Sequence, residues 1–325
     1  MATIGQDIQR AKILLENGEL VAIPTETVYG LAGNALDAEA VTRIFEAKDR
    51  PYFDPLIVHV ASLQRAEDFV HSIPEQAYAL VRHFWPGPLT LLLPKTDIIP
   101  DLVTAGLEQV GIRCPDHPLT QSLLDLLPFP LAAPSANPFG YVSPTTATHV
   151  ADQLGKKISY ILDGGPCRIG IESTIIGWEN NQPMIYRLGG ISIEQLESVI
   201  GKMKVLSHAT SRPQSPGQLS GHYAPGKKFL LGDIRKLLKL HSSTRTGILA
   251  FRSTAEFQSD TGIVLSSSGD LHEAARNLFS ALRRLDSMPV DIVLAEEVPD
   301  VGLGRAINDR LRRAAAKNIS AQQVE

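Results

Sequence analysis

The sequence predicts an α/β protein of two domains: an open, twisted mixed sheet with helices, then a smaller doubly wound α/β domain. Three observations predict this. Short apolar, partly β-branched runs alternate with stretches of helical period along most of the chain. The length, 325 residues, exceeds the ~250–300 residues at which a single core stops growing. The rhythm breaks over 207–228, SHATSRPQSPGQLSGHYAPGKK, where Ser, Pro and Gly dominate and no period survives. The domains are therefore placed at 1–206 and 229–325, with 207–228 as a linker.

Residues 3–17 read as a helix. Thr3 with Gln6 can form a capping box, Ile4, Ile8, Ala11 and Leu15 share a face, and Gly18 ends it. ELVAI (19–23), LIVHV (56–60), LTLLLP (89–94), VGIRCP (110–115), PLAAPS (130–135), ISYILD (158–163), STIIGW (173–178) and MIYRLG (184–189) read as strands. DAEAVTRIFEAK (37–48), EQAYALVRHFW (75–85), TATHVADQLG (146–155) and SIEQLESVI (192–200) read as helices. After the linker, FLLGD, TGILAF, GIVLS and VDIVLAEEV alternate with helical stretches, the longest being DLHEAARNLFSALRRLD. That spacing gives βα units and a Rossmann-like second domain.

Composition excludes several classes. The chain is 43% hydrophobic and 20% charged, with a net charge of −4 and a pI of about 6.2. A broad nucleic-acid footprint would be basic, so stable nucleic-acid binding is not expected. A local pocket can still be basic on an acidic protein. The two cysteines, Cys114 and Cys167, lie far apart and form no CxxC pair, which argues against a disulfide framework or a zinc site. No basic n-region precedes an apolar h-region, and no apolar run approaches ~20 residues, so a cytoplasmic protein is expected.

The strand exits carry the chemistry. IPTETVYGL (23–31) leaves a strand through two threonines, a glutamate and a phenol, more than a plain turn needs. EAKDRPYFDPLIVH (46–59) puts Lys48 and Arg50 at a helix C-terminus, where cations complement the dipole by ~0.3–1 kcal/mol, with His59 on the next strand. VGIRCPDHP (110–118) buries Arg113 in an apolar strand. It must either meet a carboxylate such as Glu26 or await an anionic ligand. APSANPFGYVSPTT (133–146) offers Ser135, Asn137 and Ser143, residues equally at home in turns and caps. DGGPCRIG (163–170) reads as a tight turn, GIEST (170–174) repeats the acid–hydroxyl theme, and Arg187 in IYRLGG is another arginine inside an apolar strand. In open α/β sheets ligands bind at strand ends. Converging Lys, Arg and His side chains there suit a polyanion plus a carboxylate.

Taken in order, PTETVYGL, the KxRP element with Pro55, Leu56 and His59 downstream, the R-x-P-x-H-P element (Arg113 to Pro118), APSAN with SPTT, and G-x-EST-I resemble the YrdC-like family. SPG…HYAP, SGDLHEAARNLFSALRRLD and GLGRAINDRLRRAA are similar to its long, two-domain members, the threonylcarbamoyl-AMP synthases. The resemblance spans nearly the whole chain. It implies an open twisted sheet with a concave basic cavity. It also implies an activity: L-threonylcarbamoyladenylate and pyrophosphate made from L-threonine, bicarbonate and ATP, with Mg²⁺ on the leaving group. A separate complex would then transfer the threonylcarbamoyl group to a tRNA adenosine beside the anticodon.

Carried over by motif, Thr27, His59, Arg113 and Ser173 resemble the threonine-binding set. Arg50, Asp54, Ser135, Ser143, Arg187 and Tyr223 resemble the ATP-binding set, and Lys48 belongs with Arg50 to the basic element expected to stabilise charge in catalysis. Asp54 stands where many members have Asn, and Gln109 where some have Thr. The linker reads QLSGHY where many relatives have MKYRHY, two cations fewer. Tyr223 lies in the segment the family folds over its cavity, so residues 215–225 are expected to act as a lid. No protein ligand set for a metal is visible. Rival readings are a carbamoyl transferase using carbamoyl phosphate, whose zinc-finger and acylphosphatase-like regions are not seen, and an RNA-binding translation-accessory protein, against which the acidic pI speaks.

Overall fold

The computed structural model describes residues 1–206, 215–217, 223–257 and 261–321. Two compact units result. One comprises Met1–Phe139, Pro144–Arg168 and Glu172–Leu219; the other comprises Gly140–Ser143, Ile169–Ile171 and Ser220–Glu325.

The first unit runs β1 (Thr3–Gly5), α1 (Ile8–Glu16), β2 (Val21–Ile23), β3 (Gly30–Asn34), α2 (Ala38–Lys48), β4 (Ile57–His59), α3 (Leu63–Glu67), α4 (Glu75–Phe84), β5 (Leu89–Pro94), α5 (Asp101–Thr104), β6 (Gln109–Arg113), α6 (Pro118–Leu126), β7 (Leu131–Ala132), α7 (Ala147–Leu154), β8 (Tyr160–Leu162), β9 (Thr174–Glu179), β10 (Gln182–Arg187), α8 (Ile193–Ile200) and β11 (Lys204–Val205). Its mixed sheet has the order β1-β8-β2-β3-β7-β4-β6-β5-β9-β10-β11. Successive residues of one strand enter different cores: Ala22, Leu31 and Ile161 join one cluster, while Val21, Ile23, Ala32, Tyr160 and Leu162 join another. Both faces of the sheet are therefore covered there, which is why the strands read as unbroken apolar runs.

Two local readings change. Residues 3–5 are a strand paired in parallel with β8, and α1 starts only after Asp7, whose carboxylate accepts the Arg10 N–H. The Asp7 cap outcompetes the Thr3–Gln6 box because β8 offers residues 3–5 a full ladder. The Gly-rich GLAGN of β3 escapes a propensity reading, because its glycines serve close packing. A Cβ on Gly33 would lie 3.0 Å from Leu20 and 3.2 Å from Ile44.

The second unit runs β12 (Lys228–Leu231), α9 (Ile234–Leu240), β13 (Thr246–Ala250), β14 (Gly262–Val264), α10 (Leu271–Ser287), β15 (Ile292–Ala295) and α11 (Gly304–Ala321). Its four strands are parallel, in the order β12-β15-β13-β14. Asp270 caps α10 by accepting the His272 and Glu273 amides. Ala274, Leu278, Leu282 and Leu285 supply its buried stripe.

Candidate active site

Strand register lines up the polar residues of the first unit. His59 of β4 pairs with Arg113 of β6, Arg113 with Thr90 of β5, Thr90 with Ile175 of β9, and Ile175 with Arg187 of β10, after a bulge between Ile185 and Arg187. Residues opposite one another in a ladder share a face. A single transverse row thus gathers a histidine, two arginines and a hydroxyl from distant parts of the chain. Thr90 was not singled out from sequence; a lone hydroxyl inside LTLLLP is the signal that could have found it.

At one end of the row, Arg113 meets Glu26. The Nη2–Oε1 separation is 2.7 Å with both side chains buried, although the pair lacks hydrogen-bond alignment. Arg113 Nε also donates to the Gly87 carbonyl at 3.3 Å, and Glu26 Oε2 accepts the Asp116 N–H at 3.0 Å. Beside them, burial first and Arg113 second push the His59 imidazole down to about 3, so it is neutral at physiological pH. Thr25 organises the turn before it. Its Oγ1 accepts the Thr27 and Val28 amides, donates to the Val28 carbonyl at 2.7 Å, and lies 2.8 Å from Thr27 Oγ1. With the Thr25 hydrogen committed to Val28, Thr27 must donate to Thr25, and Thr27 can offer a ligand only lone pairs. A cavity of about 360 Å³ adjoins this pair, lined by Glu26, Asp116, His117, Pro118, Pro166 and Arg168.

The phenol of Tyr29 has a structural task. It donates to the Gly165 carbonyl at 2.8 Å and accepts the Gly164 amide at 3.2 Å, which fixes the Asp163–Gly165 turn.

At the row's other end, Arg187 donates Nε to the Ser173 carbonyl, Nη2 to Ser173 Oγ at 3.0 Å, and Nη1 to the Pro216 carbonyl at 3.2 Å. Ser173 Oγ also lies 2.8 Å from Thr90 Oγ1. Gly189 permits this closeness, since a Cβ there would fall 2.4 Å from the backbone at Glu172–Thr174. Pro216 belongs to the sequence-defined linker, and Ser215 to Gly217 are buried and fall in the first unit. Residues 218–222 of the expected lid, His222 among them, lie outside the described residues.

A basic cluster completes the site. The last turn of α2 ends in Asp49, with φ of 53°, and turns the chain into Arg50. That guanidinium holds its own loop: Nε donates to the Asp54 carbonyl, Nη2 to the Pro55 carbonyl at 2.8 Å, and Nη2 lies 2.9 Å from Asp54 Oδ2. Asp54 is fully buried; burial raises its carboxyl, while Arg50, Lys48 and Arg187, in that order, pull it back down. Lys48 is likewise buried, and its Nζ donates to the carbonyls of Ser135 and Asn137, each at 2.5 Å. Burial, then Arg50, depress its ammonium well below the usual lysine range. An incoming anion would reverse that depression. The C-terminal dipole alone does not account for these contacts.

The structure thus brings Thr27, His59, Arg113, Ser173, Lys48, Arg50, Asp54, Ser135 and Arg187 into the first unit. Ser143 and Tyr223 fall in the second. There the Tyr223 ring stacks on Phe279 at a centroid distance of 5.6 Å, beneath the Arg310 guanidinium.

Fold and site together define an α/β protein whose sheet gathers a cationic cluster and a charge-balanced arginine–carboxylate pair. A family model for the Sua5, YciO and YrdC proteins, described as telomere recombination, matches residues 13–189. A second, described as the C-terminal domain of threonylcarbamoyl-AMP synthase, matches residues 191–316. The chain is 42% identical to the threonylcarbamoyl-AMP synthase of Pyrococcus abyssi, over 96% of this chain and 95% of that protein. It is 43% identical to that of Bacillus subtilis, over 98% and 96%. The crystal structure of P. abyssi Sua5 complexed with L-threonine superposes with a TM-score of 0.91 at 40% identity, covering 98% of both chains. The chain belongs to the two-domain threonylcarbamoyl-AMP synthases of the YrdC-like family.

Proposed function

We propose that this protein joins L-threonine, bicarbonate and ATP into L-threonylcarbamoyladenylate and pyrophosphate, for threonylcarbamoyl modification of tRNA adenosine beside the anticodon. The observation that carries the reading is the division of charge in the first unit. Arg113, Glu26 and neutral His59 form a charge-balanced group suited to a zwitterion. Lys48, Arg50 and Arg187 outnumber Asp54 and suit a polyphosphate.

Two steps follow. The threonine amine, in its neutral form, attacks the carbon of CO₂ and loses a proton to give a carbamate; from bicarbonate the same attack breaks the C–OH bond and expels water. A carbamate oxygen then attacks the α-phosphorus of ATP, the bond to the bridging oxygen breaks, and pyrophosphate leaves. Arg113 holds the threonine carboxylate, with Glu26 fixing the guanidinium. Thr27 accepts from the amine. Ser173, bonded to both Thr90 and Arg187, sits where the two substrates meet. Lys48, Arg50 and Arg187 meet the phosphates, and positioning plus charge neutralisation supply most of the acceleration. Asp54 is the counter-ion that keeps these cations folded and in place. Mg²⁺ comes with the triphosphate and supplies further neutralisation; among the described residues no three His, Cys, Asp or Glu side chains gather as a protein ligand set. The reaction belongs in the cytosol, and the adenylate passes to a separate tRNA-modifying complex. No helix of the described residues is long and apolar enough to cross a membrane. Pyrophosphate release measured with each substrate omitted in turn tests the reading. It should require threonine and bicarbonate together, and release at the same rate without threonine would overturn it.

A further inference from the structure

One face of α10 takes no part in this chemistry, yet it grips residues that flank the site in sequence. Arg276, Phe279, Arg283 and Asp286 stand at i, i+3, i+7 and i+10, a single stripe of the helix. Within the second unit the stripe touches four segments, with Arg283 and Asp286 sharing one of them. Gly170, with φ of 81°, passes so close to Arg276 that a Cβ would lie 2.4 Å from its Cα. Phe279 carries the Tyr223 ring. Arg283 stacks 5.2 Å over the Tyr141 ring and donates to the carbonyls of Val142 and Ser143. Asp286 uses both oxygens: Oδ2 accepts the Tyr141 hydroxyl at 2.6 Å, and Oδ1 accepts the Lys227 amide at 2.9 Å. The Ala224 N–H adds a bond to the Gly140 carbonyl at 3.0 Å.

The gripped turn, residues 140–143, is short, and its chain neighbours Phe139 and Pro144 fall in the first unit. Phe139 N–H donates to the Lys48 carbonyl at 2.7 Å, and the Pro144 carbonyl accepts the Tyr29 N–H at 2.9 Å. A guanidinium that both stacks on a ring and bonds two carbonyls fixes a turn in position and in rotation, which a lysine could not do.

We propose that α10 is a positioning element for Ser143, a residue of the ATP-binding set named by motif: Arg283 and Asp286 hold the Tyr141–Ser143 turn, and Arg283 bonds the Ser143 carbonyl itself. The proposal rests on the synthase reading above and assigns the C-terminal sequence a part in ATP use.

The test compares Arg283→Ala, Tyr141→Phe and Asp286→Asn with wild type, and takes Arg284→Ala, on the exposed side of α10, as control. Steady-state pyrophosphate release is measured against ATP and against threonine. Arg283→Ala should raise the KM for ATP about tenfold, the scale of losing charge-assisted hydrogen bonds, and leave the KM for threonine within twofold. Asp286→Asn, which keeps an acceptor, should stay within about threefold of wild type. Tyr141→Phe keeps the ring under Arg283 but loses the hydroxyl bond to Asp286; it tests the turn's other anchor if Arg283→Ala does not fold, and should raise the KM for ATP while leaving the KM for threonine within twofold. Equal rises in both KM values, or none, would overturn the clamp. Amide exchange of residues 139–145 is followed in parallel, and Arg283→Ala should accelerate it. If wild type releases no threonine-dependent pyrophosphate, the synthase reading falls, and the exchange result alone decides the clamp: unchanged exchange defeats it.

Discussion

Two buried arginine–carboxylate pairs stand at the two ends of the site, and they do opposite things. Arg50 and Asp54 are four residues apart, both buried, at 2.9 Å. Arg113 and Glu26 come from distant segments and meet at 2.7 Å. The first pair lies among further basic groups, Lys48 and Arg187, so its carboxylate is outnumbered. The second lies beside a histidine held neutral, so its charges balance. A buried pair contributes little net stability by itself, because desolvation offsets the attraction. What differs is the charge left over for a ligand: a surplus at Arg50, near zero at Arg113. That difference underlies the proposed assignment of the triphosphate to the first pair and the amino acid to the second.

Removing Arg50 is the largest way to break this contrast. Arg50→Ala should lower turnover ~10²-fold or more, the cost of losing a preorganised charge-stabilising donor. It should also cost about 3 kcal/mol of stability by stranding the Asp54 carboxylate. A second change, Asp54→Asn, should restore the thermal midpoint but not turnover. Recovery of turnover would place Arg50 with the scaffold instead of the phosphates. Lys48→Ala should be nearly as severe in turnover. Unlike a surface helix end, it also leaves the Ser135 and Asn137 carbonyls unsatisfied, so its unfolding temperature should fall as well.

Arg113→Ala should act on the other half. The threonine KM rises by ~10-fold or more while calorimetric ATP binding stays within twofold. A matched loss of ATP affinity would show that the two halves are one site electrostatically.

The neutral imidazole gives a pH test. His59 titrates near 6.5 when unfolded and at about 3 when folded. The unfolded chain therefore binds the extra proton first. The stability due to neutral His59 is complete above about 6.5 and is lost as pH falls from there toward 3, by up to ~1.4 kcal/mol per unit. Urea unfolding of His59→Gln between these limits should show a shallower acid slope than wild type. Parallel slopes would mean that the histidine is solvated. The smallest effect expected is Tyr29→Phe, which gives up the bonds to the Gly164–Gly165 turn. It should cost ~1 kcal/mol, with both KM values unchanged.

Much of the molecule was legible in the sequence because its signals are local. The β5 strand, the Asp37 cap of α2, the Ser192–Gln195 capping box of α8 and the parallel βα units after the linker follow from apolar runs and caps. The basic element and the strand-borne arginines stood out because a charge in an apolar run demands a partner. Order along the chain even marked the family. What the sequence could not fix was partnership over distance. Whether Arg113 met Glu26 or waited for a ligand depended on a sheet order that carries the exits of β2 and β6, some 87 residues apart, toward each other through β3, β7 and β4. Thr90 became a site residue only through its register with Arg113. Residues 3–5 left their helix because β8 offered hydrogen bonds that no local pattern announces. The stacking of Tyr223 on Phe279 is likewise a contact that no local pattern announces. Caps and periods are decided within one or two turns of chain, so sequence alone determines them. Ion pairs, register and the grip of α10 on the Tyr141 turn are decided by surfaces that meet only after the sheet has assembled.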